Sequence, residues 1–567
     1  MKNIICRKLQ FIVMALALML AGTAGDAAAQ TGTDVRLILQ ITIDGLRADL
    51  IGRYDKNFGE GGFRFLSRQG VVYTNAHYQH ANTETIVGHT TLATGTFPAQ
   101  HGMVGNVWFD REAGQLSYNI EDPDYPLLAT RDYVSQGAQV DPAQKKSRTQ
   151  GRSPAAILTP TFSDGLAAYY AGRSKIFGVS GKDRSAVAMA GHAGKAFWHS
   201  TNTGDFVTST YYYDAYPDWV NAWNDRRLAA GYAGKAWTLL NKTSTYLLAN
   251  QDDRPYEVDL KGYGRVFPHP FGQMDDPLFF TRIIVSPVGD RLCLDFSKAL
   301  ITHEQLGRDE YPDYLSISFS GVDAVNHFFG PSSLENEDVV MQLDRTLADL
   351  FEFIEQTVGL RNTLVVLSAD HGMADMPEYM NGLGYKAGRL DPDEIEATAN
   401  EVGQRFGVAD IVRFFYRPYL YLDDEKIAAA EFDRNQVEQA IADALTNMAG
   451  IALAVAGSRL AEQPTNPLLA KVRNNHHVDR SGDIYIIQQP YWFLFDKGPI
   501  KAMHGSPWRY DTHVPVIFMG PGIEPRKIHR RVHPVDVAPT LAAFMGMTPP
   551  AAAQGTPLGE ILRYYNQ

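Results

Sequence analysis

Cysteine is nearly missing from this 567-residue chain, which has two. Cys6 lies in the basic and apolar leader, so only Cys293 remains and no internal disulfide can form. Stability must then come from a large core, and a composition that is 45% hydrophobic supplies one. The length corresponds to roughly two to four domain-sized units. Positive charge is also scarce: 52 Lys and Arg face 64 Asp and Glu, for a net charge of −12. With no basic run, such a chain is a poor ligand for nucleic-acid backbones. Long apolar runs are missing as well. The run "FIVMALALMLAG" is too short to span a bilayer comfortably. It follows Lys2, Arg7 and Lys8 and precedes "AAAQ", the order of a secretory signal with cleavage after Ala29. Arg7-Lys8 is not a twin arginine, and no cysteine follows at a lipid-attachment position. The expectation is a periplasmic or secreted protein with no stable membrane anchor. Removing residues 1–29 takes away three positive charges and one negative, moving the net from −12 to −14. Internal repeats and long low-complexity segments are absent too.

What the sequence does have is a series of short apolar runs that stop abruptly at polar residues. "VRLILQITI" ends at Asp44, "SKIFGVSG" at Lys182-Asp183-Arg184, "DYLSISFSG" at Asp323, "NTLVVLSA" at Asp370-His371, and "HVPVIFMG" at a Pro-Gly turn. Runs of this length and composition, separated by helical patterns, predict buried parallel strands of an α/β sheet. "ENEDVVMQLDRTLADLFEFIEQT" predicts an amphipathic helix between two of them. Residues near 200–290 and 385–495 lack this rhythm and are expected to be insertions at the active-site end, not independent domains. In open α/β sheets ligands gather at the carboxyl ends of the strands, which is where the ionisable residues fall.

Those residues suggest a metal centre. Asp323 and His327 are four apart, so one helical turn points both the same way. Asp370 and His371 are adjacent, Asp44 follows the first strand, and His504 precedes the last strong one. Mixed imidazole and carboxylate ligands suit zinc, and two sets of them suit a two-metal site. The stretch "HANTETIVGHTTLATGT" places Thr83-Glu84-Thr85 just before a helix that packs through small residues. Taken alone, these hydroxyls read first as helix caps and only second as a nucleophile. Lys182 and Arg184 read in isolation as a solvated turn. His89 lies one helical turn past Thr85 and is expected to pack behind the site. His476 and His477 fall in a polar insertion and are not expected in it.

As a set, "ITIDG", "TETIVGHT", "GNVWFD", "SGKDR", "SGVDAVNH", "SADHGM" and "HGSPWRYDTHVP" resemble the alkaline phosphatase superfamily. More narrowly, they resemble its PafA-type single-threonine bacterial alkaline phosphatases. The resemblance runs in order from about residue 36 to residue 545. It implies a mostly parallel central sheet flanked by helices, with inserted cap segments, over residues 30–567. It implies two zinc ions, one held by Asp323, His327 and His504, the other by Asp44, Asp370, His371 and the hydroxyl of Thr85. His513 competes with His504 as the ligand, and the alignment favours His504. Thr85 would be the nucleophile, its hydroxyl ionised by metal coordination. Asn106, Lys182 and Arg184 would contact the phosphoryl oxygens, with Asp183 facing away to orient the loop. Thr83 and Glu84 are expected to be loop structure.

The implied activity is hydrolysis of small phosphate monoesters. A sulfatase would need Cys or Ser in a C-x-P-x-R setting, which neither cysteine has. A phosphoglycerate mutase would use serine and lack an export signal. A nucleotide pyrophosphatase/phosphodiesterase uses threonine and the same seven metal-site positions, so Lys182 and Arg184 are the discriminating pair. A phosphate-sensing protein without catalysis is disfavoured by the complete ligand set.

Overall fold

The computed structural model describes residues 35–128, 141–430, 432–461, 466–494, 497–498 and 500–562. The expected secretory leader, residues 1–29, lies outside them. The five predicted strands all form, and they belong to one nine-stranded sheet. In chain order its strands are β1 (Leu37–Ile43), β2 (Val71–His77), β3 (Ile176–Ser180), β4 (Lys195–His199), β5 (Phe206–Val207), β6 (Asp313–Phe319), β7 (Thr363–Ser368), β8 (His513–Met519) and β9 (Arg526–Ile528). Their spatial order is β9-β2-β8-β7-β1-β6-β3-β4-β5.

The centre of the sheet is parallel: β1 pairs with β6 and β7, and β3 lies between β6 and β4. Every residue of β1 is buried. Leu37, Leu39, Ile41 and Ile43 enter one apolar cluster, while Ile38 enters another on the opposite face. A strand covered on both faces has no polar side to show, which is why it reads as a continuous apolar run.

One strand departs from expectation. β8, predicted to be parallel, runs antiparallel to both β7 and β2. The reversal places the start of β8, not its end, at the edge where the parallel strands finish. His504, which precedes β8 in the chain, therefore reaches the same edge as Asp44 and Asp370.

Five helices position the site or anchor what surrounds it: α1 (Thr85–Thr94), α2 (Asp183–Ala190), α3 (Pro287–His303), α4 (Gly321–Phe329) and α5 (Leu334–Thr357). α1 approaches β7 very closely. A Cβ on Gly88 would lie 2.0 Å from the Asp370 carbonyl oxygen, so only glycine fits there. α5 is the predicted amphipathic helix, but its first turn is polar and still buried: Glu335, Asn336, Glu337 and Asp338 have no exposure. The first insertion covers them. Asp338 accepts hydrogen bonds from Trp237 Nε1 (2.7 Å), the Leu240 amide (2.7 Å), the Tyr246 hydroxyl (2.5 Å) and Gln342 Nε2 (2.6 Å). Removing one acceptor strands several buried donors, each costing about 1–3 kcal/mol and not additively. Asp338→Ala should therefore lower unfolding stability by roughly 3–5 kcal/mol, read as a shifted urea midpoint. A loss below about 1 kcal/mol would show that the insertion is held by its apolar packing instead.

The second insertion carries a four-stranded sheet of its own, in the order Val412–Tyr416, Tyr419–Leu422, Ile484–Gln488, Ile451–Ala456. Helices Pro392–Arg405 and Arg434–Thr446 close an apolar cluster around Ile395, Leu420, Val437, Ile441 and Ile486. Among the described residues no helix is long and apolar enough to cross a membrane.

Candidate active site and metal centre

The carboxyl edge of the sheet gathers the predicted ligands. Asp44 continues β1, its amide bonding the Phe319 carbonyl at 2.9 Å. The next residue, Gly45, turns with φ +73°, and a Cβ there would meet Asp323 Cβ at 2.9 Å. That glycine lets the end of β1 pack against the first turn of α4. On α4 the spacing of four brings His327 Nε2 to 3.3 Å from Asp323 Oδ2. His371 Nε2 lies 3.4 Å from both Asp44 Oδ1 and Asp370 Oδ2. His504 Nε2 is 3.7 Å from Asp323 Oδ1, and its ring stacks on that of His371 with centroids 3.5 Å apart.

Two groups of side chains have ligand atoms close enough to hold a metal ion: Asp323, His371 and His504, and Asp44, Asp370 and His371. They meet at His371, and His327 reaches the first through Asp323. The histidines are set for ligation. Each places Nδ1 against a carbonyl oxygen: His327 on Ala502 (2.9 Å), His371 on Gly372 (2.8 Å) and His504 on Thr83 (2.8 Å). A carbonyl only accepts, so Nδ1 carries a proton and Nε2 is the atom aimed at the carboxylates and available to a metal. Burial, followed by His371, holds His504 well below its ordinary range, which keeps the imidazole neutral. The carboxylates complete the set. Asp44 Oδ1, Asp323 Oδ1 and Asp370 Oδ2 are buried and accept no hydrogen bond. Burial and repulsion from Asp323 and Asp370 push the Asp44 carboxyl well up. For Asp323 burial acts in the same direction, but His327 and Lys182 outweigh it and hold the group low. Three buried carboxylates with unfilled lone pairs and three aimed imidazoles fit a pair of divalent cations.

Thr85 opens α1 beside this centre. Its Oγ1 lies 3.4 Å from His371 Nε2 and 3.4 Å from Arg184 Nη2. The hydroxyls of the opening stretch do not cap the helix: Glu84 is the N-cap and makes no side-chain cap bond. The first-turn N–H of Ile86 is taken instead by Asn106 Oδ1 at 3.1 Å. That leaves the Asn106 amide NH₂ to donate into a cavity of about 550 Å³, which Asn106 lines together with Lys182, Arg184, Asp323, His327 and His504. Lys182 Nζ stands between Asp44 Oδ2 (2.7 Å) and Asp323 Oδ2 (2.5 Å). Arg184 is held by Asp141 at 2.6 Å, which fixes its fork. Asp183 also borders the cavity, and its carboxylate accepts from the Tyr118 hydroxyl (2.7 Å) and Arg152 Nε (2.8 Å).

The remaining histidines separate cleanly. His89 Nδ1 faces the Thr85 carbonyl (2.9 Å) and Asp370 Oδ2 (3.1 Å), so it braces a ligand from behind. His513 bonds the Thr74 carbonyl and stacks on His77, away from both metal-capable groups. His476 and His477 belong to neither group. Sequence reading missed Asp141 and Arg417, which lie far from every motif, and it underrated Glu84. Glu84 is 1% exposed and pairs with Arg417 at 3.0 Å. Its polar neighbours Thr83 and Thr85 give no local signal of that burial.

The chain matches the family described as type I phosphodiesterase / nucleotide pyrophosphatase over residues 38–507. It is 32% identical to a Myroides odoratus protein named calcium-transporting ATPase, covering 93% of this chain and 94% of that one. It is 31% identical to alkaline phosphatase PafA of Elizabethkingia meningoseptica, covering 96% and 98%. The crystal structure of wild-type PafA superposes with a TM-score of 0.84 at 30% identity, over 93% of this chain and 99% of that one. A further PafA structure carries substitutions at a threonine, an asparagine, a lysine and an arginine. The threonine–asparagine and lysine–arginine spacings there equal those of Thr85–Asn106 and Lys182–Arg184 here. With its nine-stranded sheet, its two ligand groups meeting at His371 and this near-full-length likeness, the chain belongs to the type I phosphodiesterase / nucleotide pyrophosphatase family and, within the alkaline phosphatase superfamily, to the PafA-type alkaline phosphatases.

Proposed function

We propose that this protein is a two-zinc alkaline phosphatase that hydrolyses small phosphate monoesters through a phosphothreonine on Thr85. The observation that carries this is the place of Thr85 Oγ1. It sits at a helix N-terminus, between a metal-capable group and the Arg184 guanidinium. Asp323, His327 and His504 would hold one zinc; Asp44, Asp370, His371 and the Thr85 hydroxyl would hold the other. Bound there, zinc supplies Lewis-acid stabilisation of the entering and leaving oxygens.

The chain's own groups do the rest. The α1 N-terminus favours an anion at Thr85. Thr85 Oγ1, freed of its proton, forms a bond to phosphorus as the bond to the leaving alcohol breaks. Water then cleaves the Oγ1–phosphorus bond, releasing inorganic phosphate and restoring the hydroxyl. Asn106, Lys182 and Arg184 donate to the phosphoryl oxygens that carry no ester. The leader supports action in the periplasm or outside the cell.

The second reading, a diesterase, draws on the other activity in the family's description. Rates on both ester types decide between them. With zinc present, kcat/KM for p-nitrophenyl phosphate should exceed that for bis-p-nitrophenyl phosphate by at least about 30-fold, the value of one charge-assisted hydrogen bond in a desolvated site. A preference for the diester would hand the site to the diesterase reading.

The metals make a separate prediction. Chelator-stripped protein should take up two zinc ions per chain and melt at a higher temperature once loaded. At a hundredfold excess over Kd each site adds about 2.7 kcal/mol, if the unfolded chain binds nothing. A melting curve unmoved by zinc would refute the two-zinc assignment.

A further inference from the structure

The second insertion reaches the loops that carry Thr85 and Asn106 through two residues that no family motif contains. Arg417 lies at the turn between Val412–Tyr416 and Tyr419–Leu422, and its Nη1 donates to Glu84 Oε1 at 3.0 Å. Both side chains are buried, with 8% and 2% exposure. Glu84 Oε2 in turn accepts the Asn106 amide N–H at 2.6 Å and the Asn82 side chain at 3.4 Å. The circuit closes when Asn106 Oδ1 takes the Ile86 N–H.

The other tie comes from Asn475, fully buried at the end of the helix Pro467–Asn475, just before the two histidines that stay out of the site. It accepts from the Asn82 amide at 3.0 Å and donates to the Val104 carbonyl at 3.2 Å and the Tyr419 hydroxyl at 2.6 Å. The loop carrying Thr85 and the loop carrying Asn106 are thus each tied to the insertion.

We propose that Arg417, acting through Glu84, is a positioning residue that aims Asn106 at the phosphoryl group, with Asn475 anchoring the same two loops. The proposal rests on the roles given above to Thr85 and Asn106. Two physical requirements meet in Arg417. A carboxylate next to the nucleophile repels an incoming phosphate dianion unless its charge is matched, and a buried ion pair holds one geometry because each partner is costly to leave alone. Such a pair fixes the Asn106 backbone where a flexible neutral neighbour would let it drift, and small misplacement is expensive in catalysis.

Arg417 also lines the cavity, so a direct bond to substrate is the competing explanation. A double-mutant cycle separates the two. Arg417→Met should lower kcat/KM for p-nitrophenyl phosphate about 10- to 100-fold at unchanged zinc content, but by less than about 3-fold in an Asn106→Ala background. An equal loss in both backgrounds would overturn the proposal in favour of direct substrate binding, and a loss under about 2-fold in the native background would overturn it outright. If Arg417→Met does not fold, Arg417→Lys, which keeps the charge but not the fork, takes its place and should show a smaller loss with the same collapse. The dissociation constant of inorganic phosphate, measured by calorimetry on the same variants, gives a readout that needs no turnover. It should rise at least about 5-fold in Arg417→Met and stay level between Asn106→Ala and the double variant. A wild type that binds phosphate but does not cleave the ester would sink the phosphatase reading. The brace would still stand or fall on those affinities, and equal phosphate affinity in wild type and Arg417→Met would overturn it.

Discussion

Thr85→Ala should abolish nearly all turnover, lowering kcat/KM for p-nitrophenyl phosphate on the order of 10³-fold or more, while the protein folds and keeps its zinc, the second ion then resting on Asp44, Asp370 and His371 alone. The chemical reason is that the neighbouring hydroxyl, that of Thr83, is not placed to replace it. Thr83 Oγ1 is committed to the Ser506 carbonyl at 3.0 Å. The structural reason that folding survives is that among the described residues Thr85 Oγ1 bonds only at long range, to His371 at 3.4 Å and Arg184 at 3.4 Å, and the helix N-cap, Glu84, uses no side-chain bond. Thr85→Ser keeps an oxygen at the same point and should retain a large part of the rate. Acid quenching of wild-type turnover should leave phosphate on Thr85. Reproducible labelling at Thr83, or an undiminished rate in Thr85→Ala, would refute the assignment.

The second large effect concerns substrate choice. A monoester dianion presents three non-bridging oxygens, more charge than two zinc ions at the reacting oxygens can neutralise. Arg184 offers a planar fork, and Asp141 holds it in place. Lys182 offers a compact charge beside Asp44 and Asp323. A diester carries one negative charge fewer and a bulky group toward these cations. Deleting a charge-assisted hydrogen bond from such a desolvated site costs roughly 2–4 kcal/mol, on the order of 30–1,000-fold in rate. Replacing both Lys182 and Arg184 by Ala should depress monoester kcat/KM by at least that range and diester kcat/KM far less. Lys182 also balances two ligand carboxylates, so zinc content must be measured in the variant to tell loss of metal from weakened substrate binding. Equal losses on both esters at full zinc would show that the pair does not set specificity.

How much of this could be read without coordinates follows from what each feature depends on. The central strands and the ligands at their ends are local facts. A strand covered on both faces must be apolar throughout and stops where the chain meets the ligand-bearing edge, so Asp44, Asp370 and the Asp323–His327 turn announce themselves in short windows. β2 was harder to read, because "VVYTNAH" mixes polar and apolar residues beside the short strand β9. The first turn of α5 was harder still. Its acids read as a solvated face, and only the docking of Trp237, Leu240 and Tyr246 onto Asp338 makes them interior.

By itself the sequence determined the parallel core, the candidate ligand residues at the strand ends, and the threonine at the head of a helix, because each is set by residues within a turn or a strand of one another. Tertiary structure alone decided the direction of β8, which depends on the partner a strand finds and not on its own composition, and through it the arrival of His504 at the shared edge. It also decided that the two ligand groups meet at His371, and that the far insertion supplies Arg417 and Asn475 to the loops holding Thr85 and Asn106. Those hydrogen bonds join residues hundreds of positions apart. Nothing local marks them, since a buried charge is tolerated only once its partner has been brought to it.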